Sequence, residues 1–255
     1  MKKYALIGHN IGYSLSPTIH SIIYGECSIN ACYDLISINP GDFNSSINSL
    51  RALDGFNITK PYKQDIIPFL LPTSLDSVNT VKVDDGNMIG YSTDGFGFIS
   101  DINARLTNVK GNTLVLGAGG VAPAIITELK KMGLKVFIKN RTIEKARKLC
   151  DKYNISLYNG EKIDFIVNAT SLGINNIGNP LDNSIDISNV KWVYDTIYSP
   201  PATLFMKSFD KAIVCNGLGM LIYQAIKADE IMCNINLSKQ DQDKLFSIIY
   251  KEIKL

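Results

Sequence analysis

Apolar residues fall along the chain in short continuous runs separated by polar stretches of helical period, the pattern of strands buried on both faces and joined by amphipathic helices. KYALIG at residues 3–8 predicts a buried strand, and Pro17 at the head of PTIHSIIYGEC predicts the first turn of a helix that Ser16 caps. A second strand is expected from Tyr33 to Ile38 and a helix from Asp42 to Leu53. FNITKPYK is expected as a polar loop containing Pro61, followed by a short helix. VNTVKVDDGNMIGYST then predicts a hairpin with Asp85 and Gly86 at its turn, and a helix opens near Asp94. From Gly111 the alternation becomes regular. TLVLGAGG, a helix from Val121 to Met132, LKVFIK, a helix from Thr142 to Lys152, DFIVNAT, WVYDTI and AIVC predict five strands of one doubly wound sheet. The C-terminal stretch is expected to be helical, with an amphipathic segment beginning at Ser238.

At 255 residues the chain is long for one ordinary domain and short for three. The expected class is α/β with two domains: an N-terminal α/β substrate domain of residues 1–103 joined by 219–255, and a Rossmann-type doubly wound parallel sheet over residues 104–218. Apolar residues make up 45% and charged ones 20%, the composition of a globular protein. The five cysteines are scattered, and no two form a CxxC pair, which argues against a disulfide framework and a zinc site. A net charge of +2 gives no field that points to nucleic acid or a membrane surface, and no stretch approaches the ~20 apolar residues of a bilayer span. The apolar run in MKKYALIGHN is too short for a signal peptide, so a cytoplasmic protein acting on a small molecule is expected.

Gly117, Gly119 and Ala122 follow a predicted strand and open a helix, giving GxGxxA, in which glycines allow a tight turn and close approach of a pyrophosphate to a helix N-terminus. A glycine-rich turn in another α/β protein reads the same way when the motif stands alone. The next strand ends FIKNRT, where an NAD site usually places an acidic residue; here Asn140 is neutral, Arg141 is a cation, and Lys145 lies one helical turn on. A guanidinium binds a 2′-phosphate with paired hydrogen bonds, so NADP(H) is favoured over NAD, the alternative being that Arg141 and Lys145 are solvated surface residues.

Three segments of the first domain carry more polar side chains than loops require: YSLSP with Ser14 and Ser16, FNITKPYK with Asn57, Thr59 and Lys63, and VNT to STDG with Asn79, Thr93 and Asp94. Reduction of a ketone needs a proton donor beside the hydride donor. Of the two histidines, His20 falls on the first helix as a packing or surface residue and His9 could edge a site. Lys63 and Asp94 make the better pair, since burial lowers a lysine pKa and a nearby carboxylate raises it, although spacing alone also fits two surface residues.

The chain resembles the shikimate dehydrogenase family through motifs that run in order along nearly its whole length: SLSPTIH at 14–20, NITKPYK at 57–63, VNT at 78–80, STDGFG at 92–97, GAGGVAPA at 117–124, NRT at 140–142, NATSLG at 168–173, DTIYSPPAT at 195–203 and NGLGMLIYQA at 216–225. The resemblance implies NADPH-dependent reduction of 3-dehydroshikimate to shikimate, with Lys63 moving the proton and Asp94 holding it. It implies that Ser14, Ser16 and Tyr198 meet the substrate carboxylate and that Thr59, Asn79 and Gln224 hydrogen-bond the ring hydroxyls. For the cofactor it implies Gly117, Ala118, Gly119, Gly120, Val121, Asn140, Arg141, Thr142, Lys145, Thr170, Ser171, Ile197, Gly217 and Met220. The active site is expected in a cleft between the domains.

Several positions depart from the family pattern. Asn10 stands where proline is common, Tyr13 where histidine is, Ser92 where asparagine is, and Lys145 where arginine is. The segment from Lys63 to Asn79 is short, and the helix after Gln224 lacks its usual aromatic residues. Two rivals stand beside this expectation: a quinate or quinate/shikimate dehydrogenase using NAD, against which Arg141 speaks, and a binding or regulatory homologue without catalysis, against which the presence of Lys63 and Asp94 speaks.

Overall fold

The computed structural model describes residues 1–253. In chain order the elements are β1 (Lys2–Gly8), α1 (Ser16–Glu26), β2 (Ala31–Ser37), α2 (Phe43–Leu50), β3 (Gly55–Ile58), β4 (Thr80–Asp84), β5 (Asn87–Tyr91), α3 (Asp94–Arg105), β6 (Asn112–Leu116), α4 (Ala122–Lys131), β7 (Lys135–Lys139), α5 (Ile143–Tyr153), β8 (Ser156–Leu157), β9 (Phe165–Asn168), β10 (Trp192–Asp195), β11 (Ile213–Cys215), α6 (Leu218–Cys233) and α7 (Lys239–Glu252). They form two compact units, Met1–Gly97 with the chain from Ile222 onward, and Phe98–Leu221. The first boundary thus falls inside α3 rather than at residue 103, because Phe98, Ile102 and Leu106 pack into the core of the second unit with Val115, Ile125 and Leu129.

The first unit holds a five-stranded sheet of order β2-β1-β3-β4-β5. Its first three strands are parallel, whereas β3, β4 and β5 pair antiparallel, so the sheet is mixed rather than purely parallel. The run KYALIG is apolar on both faces because both are covered. Ala5 and Ile7 pack with Phe43, Ile47 and Leu50 of α2, while Tyr4 and Leu6 pack with Tyr24 of α1 and Met232 of α6. The β4–β5 turn is made by Asp85 and Gly86, both at positive φ as a two-residue hairpin requires.

Four local expectations are corrected here. Ser16 is the first helical residue of α1 and does not cap it; Leu15 occupies the cap position, with no side-chain cap bond. FNITKPYK is not all loop: its first residues lie in β3, where Phe56 and Ile58 point into the core and Asn57 lies on the other face. The helix expected from Asp42 begins as a single 3-10 turn at Pro40–Asp42 and ends at Leu50, and the short helix after Pro61 is only the 3-10 turn Ile67–Phe69.

The second unit holds a sheet of order β11-β10-β9-β6-β7-β8, all parallel. It has six strands, one more than the pattern predicts, since β8 is only two residues long and shows no periodicity. The order reverses at β6, and the loops at the carboxyl ends of β6 and β9 open there, the place where doubly wound sheets bind ligands. α3 and α4 cover one face through Phe98, Ile102, Ile125 and Leu129. The other face is covered by Ile185, Val190, Phe205 and Phe209 from largely irregular segments. At the C-terminus Ser238 caps α7 in a reciprocal box with Asp241. Among the described residues no helix is long and apolar enough to cross a membrane.

Candidate active site

Lys63 lies on the loop leaving β3, and Asp94 is the first residue of α3, where a helix N-terminus favours a carboxylate. The Lys63 Nζ donates to Asp94 Oδ2 at 2.6 Å, with side chains 16% and 4% exposed. The other carboxylate oxygen, Oδ1, accepts from Asn79 Nδ2 at 3.1 Å. The same amide nitrogen meets Gln224 Oε1 of α6 at 3.1 Å and Thr93 Oγ1 at 2.9 Å. Asn79 Oδ1 accepts from the Thr93 backbone N–H at 2.7 Å, which fixes which end of the amide faces Asp94. Lys63, Asp94, Asn79 and Gln224 are therefore brought together from four separate segments of one unit.

Ser14 Oγ accepts from the backbone N–H of Ser16 at 3.2 Å and donates to Ser16 Oγ at 3.1 Å, so two hydroxyls sit together at the start of α1. With no side-chain cap on that helix, its first amides and the serine hydroxyls form a donor-rich end suited to a carboxylate. Thr59 follows β3, its amide bonded to Ile7 O at 2.8 Å. His9 Nδ1 lies 3.1 Å from Ile38 O and its Nε2 3.0 Å from Asn10 Nδ2. Asn10 has φ of 52°, a conformation that the proline common at this position cannot adopt. His20 is buried and pairs with Asp229 at 2.8 Å.

In the second unit the glycine loop is built against the end of β9. Gly117 has φ of 103°, and a Cβ there would stand 2.7 Å from Thr170 Cγ2 and 3.0 Å from Ala169 O, so only glycine fits. Asn140 Oδ1 accepts from the Ala118 N–H at 3.0 Å while its Nδ2 donates to Thr142 O at 2.8 Å, tying the glycine loop to the end of β7. Gly119, Gly120 and Val121 lead into α4, whose start carries no side-chain cap bond. A cavity of about 600 Å³ opens beside them, with Gly117, Asn140, Arg141, Thr170 and Ser171 in its lining. Arg141, Thr142 and Lys145 are exposed at the β7 end and the first turn of α5.

Asn168 and Asp195, at the ends of β9 and β10, brace the loops that follow those strands. Asn168 Oδ1 accepts from Thr170 N at 3.0 Å and Thr170 Oγ1 at 2.7 Å, and its Nδ2 donates to Asp195 Oδ1 at 2.9 Å. Asp195 also accepts from Ile197 N at 3.0 Å and Thr203 Oγ1 at 2.6 Å. Burial raises the Asp195 pKa above the usual carboxylate range in spite of these donors. Gly217 N donates to Ile197 O at 3.0 Å, and a Cβ on Gly217 would collide with the carbonyl oxygen of Thr196. Met220 is buried in the core of this unit. Tyr198 stands in the segment leaving β10, in a different unit from the paired serines.

Residues outside the expected set also take part. Lys139 and Asp182 line the cavity and form an ion pair at 3.2 Å, with Ser184 Oγ 2.8 Å from the lysine; the Ser184 hydrogen bonds, with Lys139, hold the Asp182 carboxyl below its usual pKa. Thr93, Thr80 and Asn57 belong to the bonds around Asn79. Asn57 and Thr93 stand in the polar motifs, but no signal in the sequence pairs Lys139 with Asp182, 43 positions further on.

Comparison with known proteins follows the same division. Residues 6–81 match the family model described as shikimate dehydrogenase substrate binding domain, and residues 102–178 match that described as shikimate / quinate 5-dehydrogenase. The chain is 39% identical to the shikimate dehydrogenase (NADP(+)) of Caldicellulosiruptor bescii, over 99% of this chain and 100% of that one. It is similar to the crystal structure of shikimate dehydrogenase from Aquifex aeolicus, at 32% identity and a TM-score of 0.83, covering 96% of this chain and 97% of the other. A shikimate dehydrogenase crystallised in complex with NADP+ matches at 31% identity and a TM-score of 0.84, covering 99% of this chain and 96% of the other.

Proposed function

Because this chain belongs to the shikimate dehydrogenase family and is an NADP-dependent oxidoreductase, we propose that Lys63 and Asp94 are the acid–base pair with which it interconverts 3-dehydroshikimate and shikimate. The observation that carries this is the 2.6 Å contact between Lys63 Nζ and Asp94 Oδ2, shielded from solvent and braced on the far oxygen by Asn79.

Reduction of the ketone requires a hydride at carbon and a proton at oxygen. Bound NADPH supplies the hydride. The ammonium of Lys63 donates the proton to the carbonyl oxygen as charge develops there, and the same group takes it back when shikimate is oxidised. Asp94 keeps the ammonium oriented and accepts from a neighbouring substrate hydroxyl. Ser14 and Ser16 donate to the substrate carboxylate. Thr59, Asn79 and Gln224 take the ring hydroxyls; Gln224 Oε1 is already bonded to Asn79, which turns its Nε2 into a donor for substrate.

The second unit fits a dinucleotide. The uncapped start of α4 and the glycine path at Gly117 and Gly119 suit a pyrophosphate, with Ala118, Gly120 and Val121 completing the turn. Arg141, Thr142 and Lys145 meet the 2′-phosphate in this reading, and Thr170, Ser171, Ile197, Gly217 and Met220 the nicotinamide half.

The direct test is NADP+ reduction measured with shikimate for the wild type and Lys63→Ala. A lysine that acts in the transition state loses about 100-fold or more in kcat with little change in KM. Unchanged turnover in Lys63→Ala would end this assignment.

A further inference from the structure

The hydrogen bonds behind Asn79 run in one direction and begin far from the acid–base pair. Tyr33 Oη donates to Asn57 Oδ1 at 2.8 Å. With its oxygen so engaged, the Asn57 amide presents Nδ2 to Thr80 Oγ1 at 2.9 Å and to Asn79 O at 3.1 Å. Thr80 Oγ1 therefore accepts from Asn57 and turns its own proton to Asn79 Oδ1, 3.2 Å away. Asn79 in turn gives Nδ2 to Asp94, and Asp94 receives Lys63. Asn57 and Thr80 are each oriented by the donor before them, Asn79 by Thr80 together with the Thr93 backbone N–H, and the series ends on a carboxylate, which only accepts.

The start of this series is closely packed. The Tyr33 ring lies flat on the His20 imidazole, with centroids 3.8 Å apart and planes 9° from parallel. His20 is held edge-on by Asp229 at 2.8 Å, both side chains being almost wholly buried. Burial, with the Asp229 charge, also pushes the Tyr33 phenol well above its usual pKa, so it stays a donor. A phenolate there could only accept, and the direction of the Asn57 and Thr80 bonds, with their support for Asn79, would be lost.

We infer that Tyr33, stacked on the buried His20–Asp229 pair, is a positioning residue that sets the orientation of Asn57, Thr80 and Asn79 and through them the alignment of Asp94 with Lys63. This rests on the assignment of Lys63 and Asp94 as the acid–base pair. Tyr33 touches neither member of that pair; it acts through the amide and hydroxyl groups between.

The test is Tyr33→Phe, which keeps the ring and its stack and removes one hydroxyl. The expected result is a fall in kcat of about 10-fold, the order of one hydrogen bond, with KM for shikimate changed less than about 2-fold. Thr80→Val breaks the series at a later link and is expected to show the same split between kcat and KM. Tyr33→Phe is then measured in the Lys63→Ala background, where its effect on residual turnover should vanish because the group it aligns is gone. Equal losses in both backgrounds, or wild-type kcat in Tyr33→Phe and Thr80→Val, would overturn the inference. If Lys63→Ala alone turns over like the wild type, the acid–base assignment fails first, and that outcome is read separately.

Discussion

The side-chain amide of Asn79 donates to Oδ1 of Asp94 at 3.1 Å, leaving Oδ2 to Lys63 at 2.6 Å. Asn79 is 4% exposed and Asp94 3%, so water does not readily replace either donor. Asn79→Ala leaves the buried carboxylate short of a partner, and an unmade buried hydrogen bond costs roughly 1–3 kcal/mol. The expected outcome is loss of stability of that order in urea titration, together with a fall in kcat/KM. Wild-type values of both would show that Asn79 does not hold the aspartate.

Asp94→Asn keeps the shape of the side chain but removes the charge that orients the Lys63 ammonium. If the pair moves the proton, kcat falls by about 100-fold or more. Steady-state NADP+ reduction with shikimate checks this. Retention of most of the turnover would leave the lysine acting without its carboxylate.

Arg141 stands exposed at the end of β7, next to an Asn140 whose amide is committed to the glycine loop. Charge-assisted bonds to a phosphate contribute about 1.5–3 kcal/mol, so Arg141→Ala should lower kcat/KM for NADPH by about 10- to 100-fold. The value for NADH, which lacks the 2′-phosphate, should change little. Equal losses with both cofactors would place Arg141 elsewhere on the nucleotide.

What the sequence disclosed and what it hid divide by distance along the chain. The glycine loop and the strand end at Asn140 are local chemistry, and each was readable from a few neighbouring residues. β3 was missed because four residues containing a half-buried polar Asn57 show too little alternation, and β8 because two residues show none. Ser16 looked like a cap because serine beside proline suits a helix start, but Pro17 sits at the second helical position and Ser14 does the bonding. The pairing of His20 with Asp229 spans 209 positions and that of Tyr33 with Asn57 spans 24, so neither leaves a local trace.

Gly217 is required by contact rather than by an unusual φ. Its amide bonds to Ile197 O at 3.0 Å, and a methyl group at its Cα would run into the Thr196 carbonyl, part of a backbone that cannot swing aside as a side chain does. Gly217→Ala is expected to cost roughly 1–3 kcal/mol, the usual penalty of overpacking, read as a lower Tm. A Tm equal to wild type would mean that the 196–197 segment yields freely.

Asp164 couples the stability of the six-stranded sheet to pH. It precedes β9, whose far end carries Asn168 and the Thr170 turn. Its Oδ1 accepts from Lys191 Nζ at 2.8 Å and its Oδ2 from the Asn112 N–H at 3.1 Å. The Lys191 bond, with the Asn112 amide, holds its pKa below the usual carboxylate range against the opposing effect of burial. A carboxyl whose folded pKa is depressed stabilises the fold above its unfolded pKa, and that contribution is lost as pH falls through the folded value. Asp164→Asn should therefore melt below the wild type near neutral pH. The gap should narrow as pH is brought below about 4, where the wild-type carboxyl also begins to lose its charge. A difference in Tm that stays constant from neutral to acid pH would show that the hydrogen-bonding shape of Asp164, and not its charge, anchors β9.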